Sequence, residues 1–188
     1  MKFKKVIATT IKEYLSEGKG IKNNLNDNFW KWFGSSKLIT NGNPNIYYHG
    51  TTKKFHTFNK STIKPDGFHG KGFYFYNNDI ASEYNRIVLK CYLRVETPYN
   101  MNDMVDLDEI KIILGDSIYS EKEKVILDMI EYGVYKSEIY PFITNDRLQK
   151  LGYDGIIHSN VVVVFEPNQI KSIENDGTWD IKNDNIFS

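Results

Sequence analysis

The chain has 188 residues, enough for one domain with its own core and an extension, and lysine plus arginine equal aspartate plus glutamate at 24 each. That balance excludes a global positive field that would draw the protein to nucleic acid, and an acidic excess that would keep it disordered. The single cysteine, Cys91, excludes an internal disulfide and a cysteine-built zinc site, so the expected compartment is a reducing cytoplasm.

Taken in order, Ile7, Ile11, Tyr14 and Leu15 fall on one helical face and predict a helix from Ile7 to Glu17, ended by Gly18 and Gly20. The asparagine-rich run that follows reads as a linker, giving an extension over residues 1–27 and a domain over 28–188. Phe29-Trp30-Lys31-Trp32-Phe33-Gly34 predicts a short helical turn with both tryptophans as core anchors. After the turn Asn41 to Asn45, a first strand runs from Ile46 to His49, and the polar loop beyond it carries Phe55 and Phe58 as inward anchors. Gly67, Gly70 and Gly72 bracket His69, read as a surface-loop histidine, and Lys71, read as solvated.

A second aromatic strand spans Phe73 to Tyr76. Asp79 is the expected N-cap of a helix through Ala81, Tyr84 and Ile87, and a strand follows over Val88 to Val95. Asp103 to Tyr140 reads as helical, Thr144 to Lys150 as one more short helix, and Gly155–His158, Val161–Phe165 and Gln169–Ile173 as strands. Strands and helices mix without the alternation of a doubly wound sheet, so the expected class is α+β with packed, mainly antiparallel sheets. No stretch has the apolar length of a membrane span and no signal-peptide core opens the chain, which predicts a soluble protein without a membrane partner. Four scattered histidines without cysteine spacing give no metal site.

Three separated pieces carry the chemistry: Tyr48-His49-Gly50-Thr51; Gly72-Phe73-Tyr74-Phe75 followed by Ala81 and Tyr84; and Gly152-Tyr153-Asp154-Gly155-Ile156-Ile157 leading to Val164-Phe165-Glu166-Pro167-Asn168-Gln169. In this order they resemble the signature motifs of the His-Tyr-Glu class of NAD⁺-dependent ADP-ribosyltransferases, which includes diphtheria toxin and the poly(ADP-ribose) polymerases. The chain is most similar to the phage and mobile-element branch found in polyvalent proteins; Trp32-Phe33-Gly34-Ser35-Ser36-Lys37 and Asn175-Asp176-Gly177-Thr178-Trp179-Asp180 resemble that branch as well. The resemblance covers Asn28 to the end. It implies an ADP-ribosyltransferase fold, two packed sheets around an NAD⁺ cleft.

By that resemblance His49 hydrogen-bonds a ribose hydroxyl of NAD⁺, Gly50 pairs through its backbone with the nicotinamide carboxamide, and Tyr74 and Tyr84 sandwich the nicotinamide ring. Thr51 and Gly72 complete the cofactor-binding set. A glycine suits the carboxamide contact because no Cβ blocks the backbone, and each ring contact contributes about 0.5–1.5 kcal/mol beyond area burial.

The third position departs from the family. Where a glutamate usually opens the last strand, this chain has Val161, and strand period puts Glu166 on the other face. Three readings stand: transfer assisted by the acceptor's own carboxylate, rescue by Glu166 or Asn160, or loss of transfer with NAD⁺ binding kept. The catalytic set expected is His49, Tyr74 and Glu166, with NAD⁺ as substrate and no metal. The activity expected is mono-ADP-ribosyl transfer to a macromolecule, a protein rather than a nucleic acid, as an effector on a host or defence component in the host cytoplasm. The rival readings are NAD⁺ glycohydrolysis and a degenerate module that binds NAD⁺ or ADP-ribose.

Overall fold

The structure, a computed structural model, describes residues 25–64, 66–78, 87–115 and 121–188. The predicted helix over Ile7 to Glu17, most of the extension over residues 1–27, the cap at Asp79 and the stacking residue Tyr84 lie outside them.

The first described helix, α1 (Asp27–Phe33), starts where the Asn26 side chain accepts the Phe29 N–H at 3.0 Å and stops at Gly34, whose φ of 58° suits glycine. Asp27–Phe33 buries Phe29, Trp32 and Phe33 against Tyr92 and Trp179. Trp30 departs from expectation: it is 43% exposed, because residues two apart on a helix, such as Trp30 and Trp32, point to different sides. A ribbon of β1 (Ile39–Thr40) and β2 (Asn43–Pro44) leads into β3 (Tyr47–Thr51). Then come β4 (Phe73–Tyr76), β5 (Ile87–Leu93), β6 (Pro98–Asn100), helices α2 (Leu107–Leu114), α3 (Glu121–Glu131), α4 (Lys136–Ile139) and α5 (Asn145–Lys150), and strands β7 (Gly155–His158), β8 (Val161–Val164) and β9 (Ile170–Ser172).

The architecture is α+β. Seven strands form one sheet in the order β6-β7-β8-β4-β3-β5-β9, antiparallel except for the parallel pair β6/β7, and the two-stranded ribbon is separate. Aromatic and β-branched residues fill the sheet because both its faces are covered. Phe73 and Phe75, with their partners Val164 and Val162, face a core that holds Tyr47, Phe58, Cys91 and Leu93. Tyr74 and its partner Val163 face a second core, built with Ile156, Phe165 and the helix residues Ile110, Ile113, Ile126, Ile139 and Leu148. A strand covered on both sides needs no polar alternation, which explains four valines in a row in β8.

Candidate active site

The centre of the sheet is where it comes apart. Strand β3 pairs with β5 over five positions, Tyr47↔Cys91 through Thr51↔Ile87. Its other edge meets β4 at the single position Tyr48↔Tyr76. Continued antiparallel pairing would set His49 against Phe75 and Gly50 against Tyr74, and instead the strands splay. A side chain spans the opening: His49 Nδ1 lies 2.8 Å from the Tyr74 carbonyl oxygen.

That contact settles the state of the imidazole. A carbonyl oxygen only accepts, so Nδ1 carries the proton and donates it, and Nε2 is left as an acceptor. Burial holds the His49 pKa below its usual value, partly offset by the bond to the Tyr74 carbonyl, so the ring is neutral near pH 7. Phe58, Phe75 and Phe55 surround it, with ring centroids 4.9, 5.3 and 6.3 Å away.

Tyr74 is held as firmly from the opposite end. Its hydroxyl donates to the Gly70 carbonyl at 2.7 Å and accepts the His69 N–H at 2.8 Å. The turn Gly67 to Gly70 closes with a 2.7 Å backbone bond. Gly67 is required there, since a Cβ would lie 2.3 Å from the Tyr74 hydroxyl oxygen. Burial pushes the Tyr74 phenol up, so it remains a neutral donor.

Between β3, β4 and the loop joining them lies a cleft of about 650 Å³ lined by His49, Thr51, Gly72, Tyr74 and Tyr76 on the sheet side and by Phe55, Phe58, Thr62, Lys64 and Phe68 on the loop side. This volume suits a cofactor-sized ligand. Of the residues expected to bind the cofactor, the structure thus brings His49, Thr51, Gly72 and Tyr74 to one cleft. Gly50 sits between two of them, in register with Val88. Gly72 also packs against β8, where a Cβ would come within 2.3 Å of Val163 Cγ1.

Glu166 is elsewhere. It caps the turn Pro167–Gln169, and its carboxylate forms an ion pair with Lys60, both side chains being about half exposed. Lys60 opens a short turn (Lys60–Thr62) whose neighbour Asn59 and last residue Thr62 line the cleft. Glu166 therefore meets the outer side of the cleft wall. Val161 pairs with Tyr76 and packs on the second core, sharing a face with Tyr74. Among the described residues, none of those lining the cleft is a carboxylate, and Lys64 is the lysine among them.

His69 overturns the expectation of a surface loop. It is 4% exposed, 3.4 Å from His158 Nδ1 through its Nε2, and its ring lies nearly parallel to Tyr74 with centroids 6.3 Å apart. Burial, reinforced by His158, pushes its pKa down to about 4. Asn145, not singled out from sequence, is buried beside it and bonded to the same loop. Gln169 and Lys171 are structural: Gln169 donates to the Arg94 and Asp154 carbonyls and accepts from the Phe165 and Glu166 N–H groups. Among the described residues, no cluster of three or more histidine, cysteine or acidic side chains is arranged for a metal, and no helix is long and apolar enough to cross a membrane.

Compared with known proteins, the chain matches a family model described as ADP-ribosyltransferase in polyvalent proteins, over residues 40–179. No curated protein and no solved structure gives a significant match. The matched span begins at β1, ends at Trp179 on α1, and contains the whole cleft.

Proposed function

Because the chain belongs to the family of ADP-ribosyltransferases in polyvalent proteins, whose substrate is NAD⁺, we propose that it moves one ADP-ribosyl group from NAD⁺ to a protein, using the gap between β3 and β4 as the donor site. The observation that carries this reading is the His49 to Tyr74 hydrogen bond across the splayed strands. It joins the two residues that the resemblance assigns to the nicotinamide ribose and the nicotinamide ring.

In this reading the neutral His49 accepts a ribose hydroxyl at Nε2, and Tyr74 offers its ring face to nicotinamide, with Tyr84 as the second face. Gly50, Thr51 and Gly72 supply the backbone and hydroxyl groups around the ring, and the support for a pyrophosphate contact is that Lys64 is the lysine in the described lining. Nicotinamide is a cationic leaving group, so the bond from ribose C1′ to its ring nitrogen breaks without an acid, the electron pair leaving with nicotinamide. The protein's main task is to hold the dinucleotide bent while positive charge develops on the ribose.

An ionised carboxylate on the acceptor forms the new bond to C1′ and has no proton to lose. An acidic acceptor side chain therefore suits a cleft whose described lining carries no carboxylate. Growth of a polymer would require a ribose hydroxyl to be deprotonated, and general-base help of that kind contributes about 10²–10⁴ in rate. Single transfer is accordingly favoured, with host or defence proteins of the cytoplasm as the target class to search.

The test is incubation of the wild type and His49→Ala with labelled NAD⁺ and a cell lysate, following nicotinamide release and macromolecular label together. Release with label on discrete proteins is expected, both falling by roughly 10²-fold or more in His49→Ala, the scale for losing one group aimed at developing charge. Free ADP-ribose without labelled protein would replace transfer with glycohydrolysis. Saturable NAD⁺ binding without turnover would reduce the protein to a binding module.

A further inference from the structure

The Tyr74 hydroxyl ends on two backbone groups of a loop, and that loop is held from behind by one side chain. Asn145 opens α5 and is 3% exposed. Its Nδ2 donates to the His69 carbonyl at 2.8 Å and to the Lys71 carbonyl at 2.7 Å, and its Oδ1 accepts the Tyr140 hydroxyl. The two carbonyls flank Gly70, the residue whose own carbonyl accepts the Tyr74 hydroxyl and whose φ of +67° places it in the left-handed region. A single planar amide therefore fixes both shoulders of the turn that fixes the phenol. Asparagine is suited to this: it offers two donors and an acceptor on a short stem, and all three are used. Aspartate has the same shape and no donor, and glutamine sets the amide one methylene away.

We infer that Asn145 is the positioning residue for Tyr74, holding the ring through the Gly67 to Gly72 loop so that the amide sets affinity for the nicotinamide end of NAD⁺. It touches no substrate itself. The inference rests on the reading of the cleft as an NAD⁺ site. A general role in stability would weaken every ligand of the cleft alike. A role through Tyr74 weakens NAD⁺ selectively and spares ADP-ribose, which has no nicotinamide.

The experiment is calorimetric titration of NAD⁺ and of ADP-ribose into the full chain, wild type and Asn145→Asp. Loss of two neutral hydrogen bonds, partly recovered by water, is expected to weaken NAD⁺ about tenfold and ADP-ribose less than about twofold. Tyr140→Phe, which keeps both donor bonds of Asn145, is expected to change NAD⁺ affinity by less than about twofold. Gly70→Ala disturbs the turn itself, since alanine is strained at φ +67° and its Cβ would lie 2.9 Å from both Asn145 Nδ2 and the Tyr140 hydroxyl; it is expected to give the NAD⁺-selective loss too, which tests the route from loop to Tyr74 even if Asn145→Asp does not fold. Equal weakening of both ligands, unchanged binding, or a loss in Tyr140→Phe as large as that in Asn145→Asp overturns the inference alone. A wild type that binds neither NAD⁺ nor ADP-ribose overturns the NAD⁺ reading, and the inference falls with it.

Discussion

A histidine whose Nδ1 proton is committed to a carbonyl is a fixed acceptor, and His49 is in that position. The buried His69 carries a different consequence. Its folded pKa of about 4 lies below the value of about 6.5 for an exposed histidine, so the unfolded chain binds the proton more readily. The sign follows: stability is full above pH 6.5 and is lost progressively as pH falls toward 4, by up to about 3 kcal/mol from this residue. His158, Tyr74 and Tyr140 face the ring, and none supplies a negative charge that would relieve the cost. Thermal melts between pH 4.5 and 7.5 are expected to show this slope in the wild type and a shallower one in His69→Asn. Glu166 tests a different point at the same scale. Paired with Lys60 at the surface, it contributes at most about 1 kcal/mol to stability. We expect Glu166→Gln to change nicotinamide release by less than about threefold, whereas a loss of about 10²-fold or more would assign its carboxylate to the chemistry.

Among elements, strand β4 connects the cleft to the rest of the sheet. Gly72 precedes it, and the space for a Cβ is taken by Val163 Cγ1 at 2.3 Å and the Val164 carbonyl at 3.1 Å. Gly72→Ala is expected to push β4 from β8 and destabilise the protein by about 1–3 kcal/mol, read as a lower midpoint in urea with unchanged slope. Elements were legible where a short run had one plausible partner type. Phe73 to Tyr76 is a strand as its aromatic run predicts, and the short helix expected over Thr144 to Lys150 is present over Asn145–Lys150, with Thr144 as its N-cap. Ile87 was expected at the end of a helix and lies in β5, paired with Thr51. In so short an apolar stretch the helical and strand periods select the same residues, and pairing decides between them. Nothing local announces that β3 and β4 will separate after one position.

Over the whole molecule, the two ends of the described chain close on each other. Trp179 packs on Trp32 with centroids 5.7 Å apart, and Asn26 donates to the Gly177 carbonyl at 2.9 Å. Lys171 anchors the final turn, its Nζ donating to the Asn183 and Asn185 carbonyls, each at 2.8 Å, and to the Ser188 carbonyl. Hydrogen bonds from a charged donor are worth about 1.5–3 kcal/mol, so Lys171→Met is expected to lower the melting temperature clearly and to open residues 183–188 to hydrogen exchange first. Cleft binding should survive, because no residue of that segment lines it.

The residue types of the site were determined by sequence alone: a histidine ending an aromatic run, glycines before a second aromatic strand, and a valine where the family carries a carboxylate. So was the mixed α+β character, since period and punctuation are local properties. What only tertiary structure decided was position. Gln169 and Lys171 read as part of the last strand, and their side chains are buried on backbone carbonyls of Arg94 and Asn183; His69 reads as a surface-loop histidine and is buried against His158; Glu166 reads as a candidate catalytic carboxylate and meets Lys60. In each case the deciding contact comes from a segment distant along the chain, and a side chain's solvation and partners depend on that segment rather than on its own neighbours.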